Sequence, residues 1–518
     1  MKKRNIILSV LFAAVGLTSC DMEKYPYNAV EESQYMTTAN DFKSARIGLY
    51  SPYRTLTSGG HVLTPEFQCA DFHATASYSN TYGNQYRWDF QSSDGNIEAI
   101  WGNFYTLIAR SNYYIDSYQK LVNGEIPGIS EADRALIDCW AGEAYFSRAF
   151  AYYNLATFFC EAYDPSTAAE VYGLPLQLTY VSNATDNSKY PGRSSLQATF
   201  EQINKDLVEA ERLVNESKTV GKTQAKYNYI TQDLVTALRA RVALWTKDYD
   251  TAISASTGLI SSNKYPLIND GEAFRAMWVT DYGTEVIWQI YTAAPDELCS
   301  TNGTMFWGQY KNGDPQVMDF IPSQSLIDLY TDGDKDIRFT SFFAPYHLAL
   351  SNGSEADVYV FDKYPGNPDI YSQTIVDNHY INKPKPFRIA EQYLIAAEAY
   401  AAKNDVTNAS KYLNDLCRTR IAEYTDKSYT NATILTAIQN ERHKELVGEG
   451  FQLIDLKRWN LGIDRANAYQ ESTMVLQPGG VNTTALSKQA GDNRFVWPIP
   501  KAEYDANPQL KGQQNPGY

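Results

Sequence analysis

Apolar residues recur along most of this chain at three- and four-residue intervals, the spacing of one helical face. Over Asp41–Leu56 they fall at Phe42, Ala45, Leu49 and Tyr53. Over Ile97–Leu121 they fall at Ile100, Trp101, Phe104, Tyr105 and Ile108. Asp133–Phe159 is apolar on more than one side, through Leu136, Trp140, Ala144, Ala151 and Leu155, which predicts a helix in the middle of a bundle. Gly173-Leu174-Pro175-Leu176 interrupts the pattern and Leu196–Val214 resumes it. Two later stretches read as helix–turn–helix units. Gln232–Ser261 turns at Lys247-Asp248-Tyr249, and Phe387–Arg420 turns near Asn404-Asp405. Each carries an alanine pair twelve residues apart, Ala240/Ala252 and Ala397/Ala409. With Tyr400 and Leu413 this resembles a tetratricopeptide unit, in which small facing residues let antiparallel helices approach closely. The two units lie about 150 residues apart, which argues against a simple linear solenoid.

The separating stretch, 263–385, is rich in Gly, Pro, Asp and Tyr. It predicts an irregular insert with short strands at Glu285–Tyr291 and Val358–Phe361, and strands are expected only there. The expected fold class is therefore all-α. A single domain spans 33–518, with a helical core at 33–262 and 386–518 and a loop-rich insert between. Ligand sites favour loops held on such scaffolds.

The first residues set a location. Lys2, Lys3 and Arg4 precede an apolar run from Ile6 to Leu17, then Leu17-Thr18-Ser19-Cys20. The run is too short for a bilayer span, which takes ~20 residues, and reads as a signal peptide over 1–19. Cys20 stands where a lipoprotein is acylated, and 20–32 reads as a tether. The expected location is outside the cytoplasm, anchored to a membrane by lipid; the outer membrane and the cell surface come with the resemblance given below.

The formal charge of −15 disfavours nucleic acid and anionic lipid as partners and suits a neutral ligand. Cleavage would remove three cations and no acid. Beyond Cys20, five cysteines remain, with no CxxC; an odd number cannot all pair, and isolated cysteines on helical patterns read as small buried hydrophobes. Tyrosine is the outlier, at 40 against 21 phenylalanines. Rings with a polar handle suit wet binding surfaces, and equally suit helix packing.

Catalytic signatures are sparse. Glu441, Glu445 and Glu449 share one helical face, but Arg442, Lys444, Lys457 and Arg458 surround them and favour a structural ion-pair network over a hydrolase pair. Asp332, Asp334 and Asp336 fail as a calcium loop, because Ile337 and Phe343 occupy the positions needing Gly and Glu; a charged turn before Arg338 is the better reading. Cys69, Asp71 and His73 lack a second cluster for a metal. No cofactor motif occurs, so no enzyme, cofactor or metal is expected. Aromatic clusters in turn-rich context remain. Tyr78, Tyr82, Tyr86 and Trp88 lie beside Asn80, Asn84 and Arg87, and Met305–Tyr310 holds Trp307. Trp278 also falls in turn-rich context. A platform of Tyr82, Tyr86, Trp88 and Trp307 is expected, edged by Asp71, Asn84 and Tyr310, with Tyr78 and Trp278 as further ligand residues. On this reading Trp88→Ala weakens glycan binding and leaves the melting temperature unchanged.

Four ordered motifs resemble one family. Glu143-Ala144 with Arg148-Ala149 precedes Gly173-Leu174-Pro175-Leu176; Phe387–Glu391 runs on through Ala397-Glu398-Ala399 to Arg420; Glu441-Arg442 leads through Glu449-Gly450-Phe451 to Asp455–Trp459; and Pro498-Ile499-Pro500 precedes Gln514–Tyr518. Behind the Cys20 motif, they resemble the SusD/RagB-like nutrient-binding lipoproteins of the Bacteroidetes outer membrane. The resemblance covers essentially the whole chain. It implies four tetratricopeptide-like helix pairs and a surface protein that captures oligosaccharides. It also implies a SusC-like TonB-dependent transporter as partner. The implied ligand site is an aromatic arc drawn from the loop before the Trp101 helix and from the insert. Peptide capture, as in some relatives, and glycan hydrolysis are the alternatives.

Overall fold

The computed structural model describes residues 36–182, 189–222, 224–301, 309–311, 314–370, 380–465, 468–476 and 487–518. Cys20 and Trp307 lie outside these. Among the described residues twelve helices have eight residues or more. They are α1 (Ala39–Tyr50), α2 (Gly60–Gln68), α3 (Gly95–Val122), α4 (Glu131–Phe159), α5 (Leu196–Leu213), α6 (Gln232–Trp245), α7 (Tyr249–Ser261), α8 (Gly271–Val279), α9 (Ile389–Ala402), α10 (Val406–Arg420), α11 (Ile434–Leu446) and α12 (Gln452–Trp459).

Local chemistry starts most of them. Thr38 and Asp41 form a capping box on α1, and the side chains of Asp94, Ser130, Ser195, Thr231, Asp248 and Asp405 accept backbone N–H groups at the starts of α3 to α7 and α10. Such caps satisfy donors that a helix start leaves open. In α4 every residue from Cys139 to Tyr153 is buried, as a helix apolar all round requires, and α3 and α5 pack on it. The alanine pairs work as expected. Ala240 and Ala252 are buried with Ile395 and Ala399, and Ala397 and Ala409 are buried with Leu413. The first of these clusters joins α7 to α9. The second helix pair therefore stacks directly on the first, although the insert separates them in sequence.

Among the described residues twelve short strands form two-stranded antiparallel ladders. They are not confined to the insert. β1 (Phe72–Ala74), β2 (Tyr172–Pro175), β3 (Arg193–Ser195), β10 (Phe387–Arg388), β11 (Ile463–Asp464) and β12 (Ser487–Lys488) lie outside it, while β4 (Val286–Trp288), β5 (Gln309–Lys311), β6 (Asp314–Val317), β7 (Phe320–Pro322), β8 (Phe343–Ala349) and β9 (Glu355–Phe361) lie within. Runs of two to four residues are too short for alternation to mark them in sequence. Packing also crosses the expected insert boundary. The insert has its own apolar core, and Leu63, Phe67, Phe72, Tyr86, Val447 and Val475 belong to it.

A buried ionic cluster ties insert to core. Arg388 reaches Glu445 at 2.8 Å and Glu449 at 2.5 Å. Arg420 reaches Glu285 at 2.8 Å and Glu445 at 3.0 Å. Arg338 reaches Asp336 at 2.7 Å and Glu441 at 2.6 Å, and Lys363 reaches Glu449 at 2.8 Å. The three glutamates on one face of α11 and the turn after it are thus structural. Asp336 ends the charged turn by clamping Arg338. The five cysteines Cys69, Cys139, Cys160, Cys299 and Cys417 are free and buried.

Candidate functional site

The loop 75–89 is built on the β1–β7 ladder, in which His73 pairs with Ile321. Asp319 fixes its outer turn: its carboxylate accepts the Ser79 N–H and Oγ–H, both at 2.8 Å. Asn80, Tyr82 and Trp88 all adopt positive φ, at 69°, 56° and 56°. Three left-handed, non-glycine positions fold the loop back on itself, and this decides where its rings go.

Most of the expected platform turns inward. Trp88 is 2 % exposed; its Nε1–H donates to the Gln68 carbonyl at 2.8 Å, and its ring meets Phe495 edge-on at 5.0 Å. Tyr86 is buried beneath the Arg465 guanidinium, 4.1 Å from its ring centre, and its hydroxyl accepts the Ala74 N–H. Asp71 is buried and takes a hydrogen bond from His443 Nε2 at 2.8 Å, so it does not face a ligand. Trp278 lies in α8, not in a turn, and is packed between Phe342 and Tyr364 with Lys363 Nζ 4.3 Å from its ring. Asn84 donates its amide to Asp94, the cap of α3. Four of these expectations, Asp71, Tyr86, Trp88 and Trp278, are corrected for one reason: each buried group finds a partner inside the fold that turn-rich sequence does not reveal, whereas Asn84 stays exposed on the loop.

Two predicted rings stay at the surface. Tyr78 and Tyr82 are half-buried, Tyr82 leaning on Phe67 at 5.3 Å and Tyr78 on Phe320 at 5.3 Å. Around them stand Ser79, Asn80, Thr81 and Arg87; the Arg87 guanidinium donates to Asn80 Oδ1 at 2.6 Å. Trp307 belongs to the 302–308 stretch, outside the described residues. Tyr310 lies in β5, and its side chain is also outside them. The loop thus offers two tyrosine rings bordered by hydroxyl, amide and guanidinium groups. The internal cleft between core and insert, lined by Arg241, Trp278, Lys385, Glu449 and Phe451, holds only about 100 Å³, a volume for a few waters. The rings that stand most exposed among the described residues, Tyr282, Tyr291 and Tyr172, were not expected as ligand residues. Their single usable signal is that Tyr291 closes the predicted strand Glu285–Tyr291.

Beneath the loop sits a carboxylate with unusual protonation. Burial first, and then the neighbouring Asp71 charge, push Glu66 up to about 8. Its Oε1 accepts the Gly450 N–H at 2.5 Å, and its buried Oε2 has no hydrogen-bond partner among the described residues. Burial lowers His443, but the Asp71 charge and hydrogen bond outweigh it and leave the imidazole raised. The folded state therefore holds the Glu66 proton above the ordinary value of 4.5. Its contribution to stability is full below that value and is lost as pH rises through about 8. Glu66→Gln is expected to raise the melting temperature at pH 8 and to make its fall between pH 5 and 8 shallower. A variant with the wild-type slope would show that Glu66 is ionised in the fold.

Residues 349–518 match the sequence model of the SusD family, and residues 31–244 match a SusD-like family described as starch-binding and associating with the outer membrane. The chain belongs to the SusD family. SusD-like protein P38 of Formosa agariphila is 23% identical, with 100% of this chain and 99% of that protein aligned. A SusD superfamily protein of Bacteroides thetaiotaomicron superposes with a TM-score of 0.75 at 25% identity, covering 92% of this chain and 100% of that one. A SusD-like carbohydrate-binding protein of Bacteroides vulgatus superposes with a TM-score of 0.71 at 20% identity, covering 91% and 97%. The tetratricopeptide-like helical core is thus a SusD fold.

Proposed function

We propose that this SusD-family protein captures oligosaccharides at the cell surface, with loop 75–89 as part of its binding face, and passes them to a SusC-like TonB-dependent transporter. The observation that carries the reading is the pairing of family membership with the half-exposed Tyr78 and Tyr82 rings, set among polar side chains on a loop fixed by Asp319. Sugars present C–H faces that rings cover and hydroxyl edges that directional hydrogen bonds read. Binding rather than turnover is the role. The carboxylates once open to a hydrolytic reading, Glu445 and Glu449, are engaged by buried guanidinium groups.

Tyr82→Ala is expected to weaken oligosaccharide binding by about thirtyfold, the effect of losing ~2 kcal/mol at a hot-spot ring, with the melting temperature nearly unchanged. Calorimetry against a glycan panel checks it. Unaltered affinity for every bound glycan would remove the loop from the site, and shortened glycan chains after incubation would overturn the non-catalytic role. Membrane attachment is assigned to Cys20. No helix among the described residues is long and apolar enough to cross a membrane. Cys20→Ala is expected to shift the protein from the membrane to the soluble fraction on fractionation. Retention equal to the wild type would sink the anchor.

A further inference from the structure

One of the most exposed rings of this molecule lies away from loop 75–89. Tyr291 is 49% exposed, and Ile47 is 66% exposed. Both border an open pocket of about 520 Å³. Its walls are one face of α1 with Tyr50, the stretch before α6 with Asn228 and Tyr229, and the chain leaving β4 with Ile290 and Tyr291. Small-molecule sites span about 300–1,000 Å³, so the pocket has the size of a site rather than of a packing fault.

The walls are held before any ligand arrives. Tyr50 and Tyr229 meet edge-to-face at 5.9 Å, and the Tyr50 hydroxyl accepts the Ile230 N–H at 3.1 Å. Behind them the Arg46 guanidinium lies 5.5 Å and 5.4 Å from the two ring centres. Tyr53 and Trp288 pack edge-to-face at 4.7 Å at the base. The principal charges cancel in place. Arg46 holds Glu143 through two hydrogen bonds of 2.6 Å and 2.7 Å, and Arg54 faces Glu297 at 3.4 Å. Lys43, exposed at the pocket's edge, is a lining cation with no ion-pair partner among the described residues, so the inner walls carry paired charge and the edge one free ammonium. One polar atom lacks a counterpart: Asn228 Oδ1 is buried with no hydrogen-bond partner among the described residues. Buried acceptors are rarely left so, and a turn of this part-exposed side chain would offer it to a donor in the pocket.

Aromatic walls, paired inner charges and a wall acceptor without a donor fit one chemistry. We propose that this pocket binds the terminal one or two rings of a neutral saccharide, at a site separate from loop 75–89. The inference rests on the carbohydrate reading above and adds a second, independent contact. A chain long enough to engage both places would gain by effective concentration without any new contact at either.

The test is calorimetric titration of the mature protein with methyl hexopyranosides and neutral disaccharides as probes, and with longer oligosaccharides. Tyr291→Ala and Asn228→Ala are expected to weaken disaccharide binding about tenfold or more, in the Tyr82→Ala background as in the wild type, which separates the pocket from loop 75–89. Tyr291 is exposed, so its truncation spares the fold; melting curves of all three variants check this. If Tyr82→Ala weakens oligosaccharide binding but both pocket variants titrate like the wild type, the pocket proposal falls and the carbohydrate reading stands. If no saccharide binds the wild type, both fall. Binding of a peptide pool, lost in Tyr291→Ala, with no saccharide affected, would overturn the ligand class.

Discussion

Glu445→Ala is expected to cost about 3–5 kcal/mol of folding stability, the range for breaking a buried ion pair from one side. The carboxylate is fully buried and faces three guanidinium groups. One oxygen lies 2.8 Å from Arg388 Nη1 and 3.0 Å from Arg420 Nη2; the other lies 3.0 Å from Arg420 Nε and 3.2 Å from Arg338 Nη1. Burial alone would raise this carboxyl, but the Arg420, Arg388 and Arg338 charges overcome it and hold it well below the usual range. Burial likewise opposes ionisation of Glu441, and Arg338 and Lys444 bring that group to about 2. These carboxylates contribute stability that is present above pH 4.5, their ordinary value, and is lost only as pH falls through the lowered values. Deleting Glu445 leaves buried cations short of a counter-charge at a point where the insert, β10, α10 and α11 meet. Denaturant unfolding measures the loss. Glu445→Gln, which keeps the volume and removes the charge, should fall between wild type and alanine. A Glu445→Ala change within about 0.5 kcal/mol, the scale of a neutral surface substitution, would show that the cluster adds nothing to stability.

The same cluster shows what the sequence makes legible. Three glutamates at helical spacing amid arginines and lysines already imply pairing, because charge and period are local properties. Helix positions were legible for the same reason: the apolar run Asp133–Phe159 falls within α4, and the turn near Asn404-Asp405 leads into α10. The stacking of α7 on α9 was not, since it depends on where the insert leaves and re-enters the core. The membership of Leu63, Phe67 and Tyr86 in the insert's core is likewise a matter of three-dimensional contact. Loop 75–89 marks the limit most sharply. Its composition announces aromatic rings beside polar groups, but the direction of each ring follows from positive φ at Asn80, Tyr82 and Trp88, positions where nothing in the residue type demands it. Tyr82 keeps a partly exposed ring and Trp88, in the same loop, does not.

Trp88→Ala is accordingly expected to act on stability and not first on binding. The ring is buried, flanked by Phe495 and with Lys488 Nζ 5.7 Å from its centre, and its N–H is committed to the Gln68 carbonyl. Removing it opens a cavity and leaves the Gln68 carbonyl with the longer bond from Arg465 Nη2 at 3.2 Å, at a cost of about 3–5 kcal/mol. Trp88→Phe retains most of the packing and loses the hydrogen bond, so it should cost ~1–3 kcal/mol. Denaturant midpoints order the two variants. Glycan affinity, measured well below the melting transition, should fall less in Trp88→Ala than in Tyr82→Ala, because Tyr82 lies at the surface and Trp88 beneath it. A Trp88→Ala protein that melts like the wild type yet loses its ligand would return this ring to the binding face. That result would require the loop to open in solution, since the folded arrangement leaves the indole only 2 % exposed.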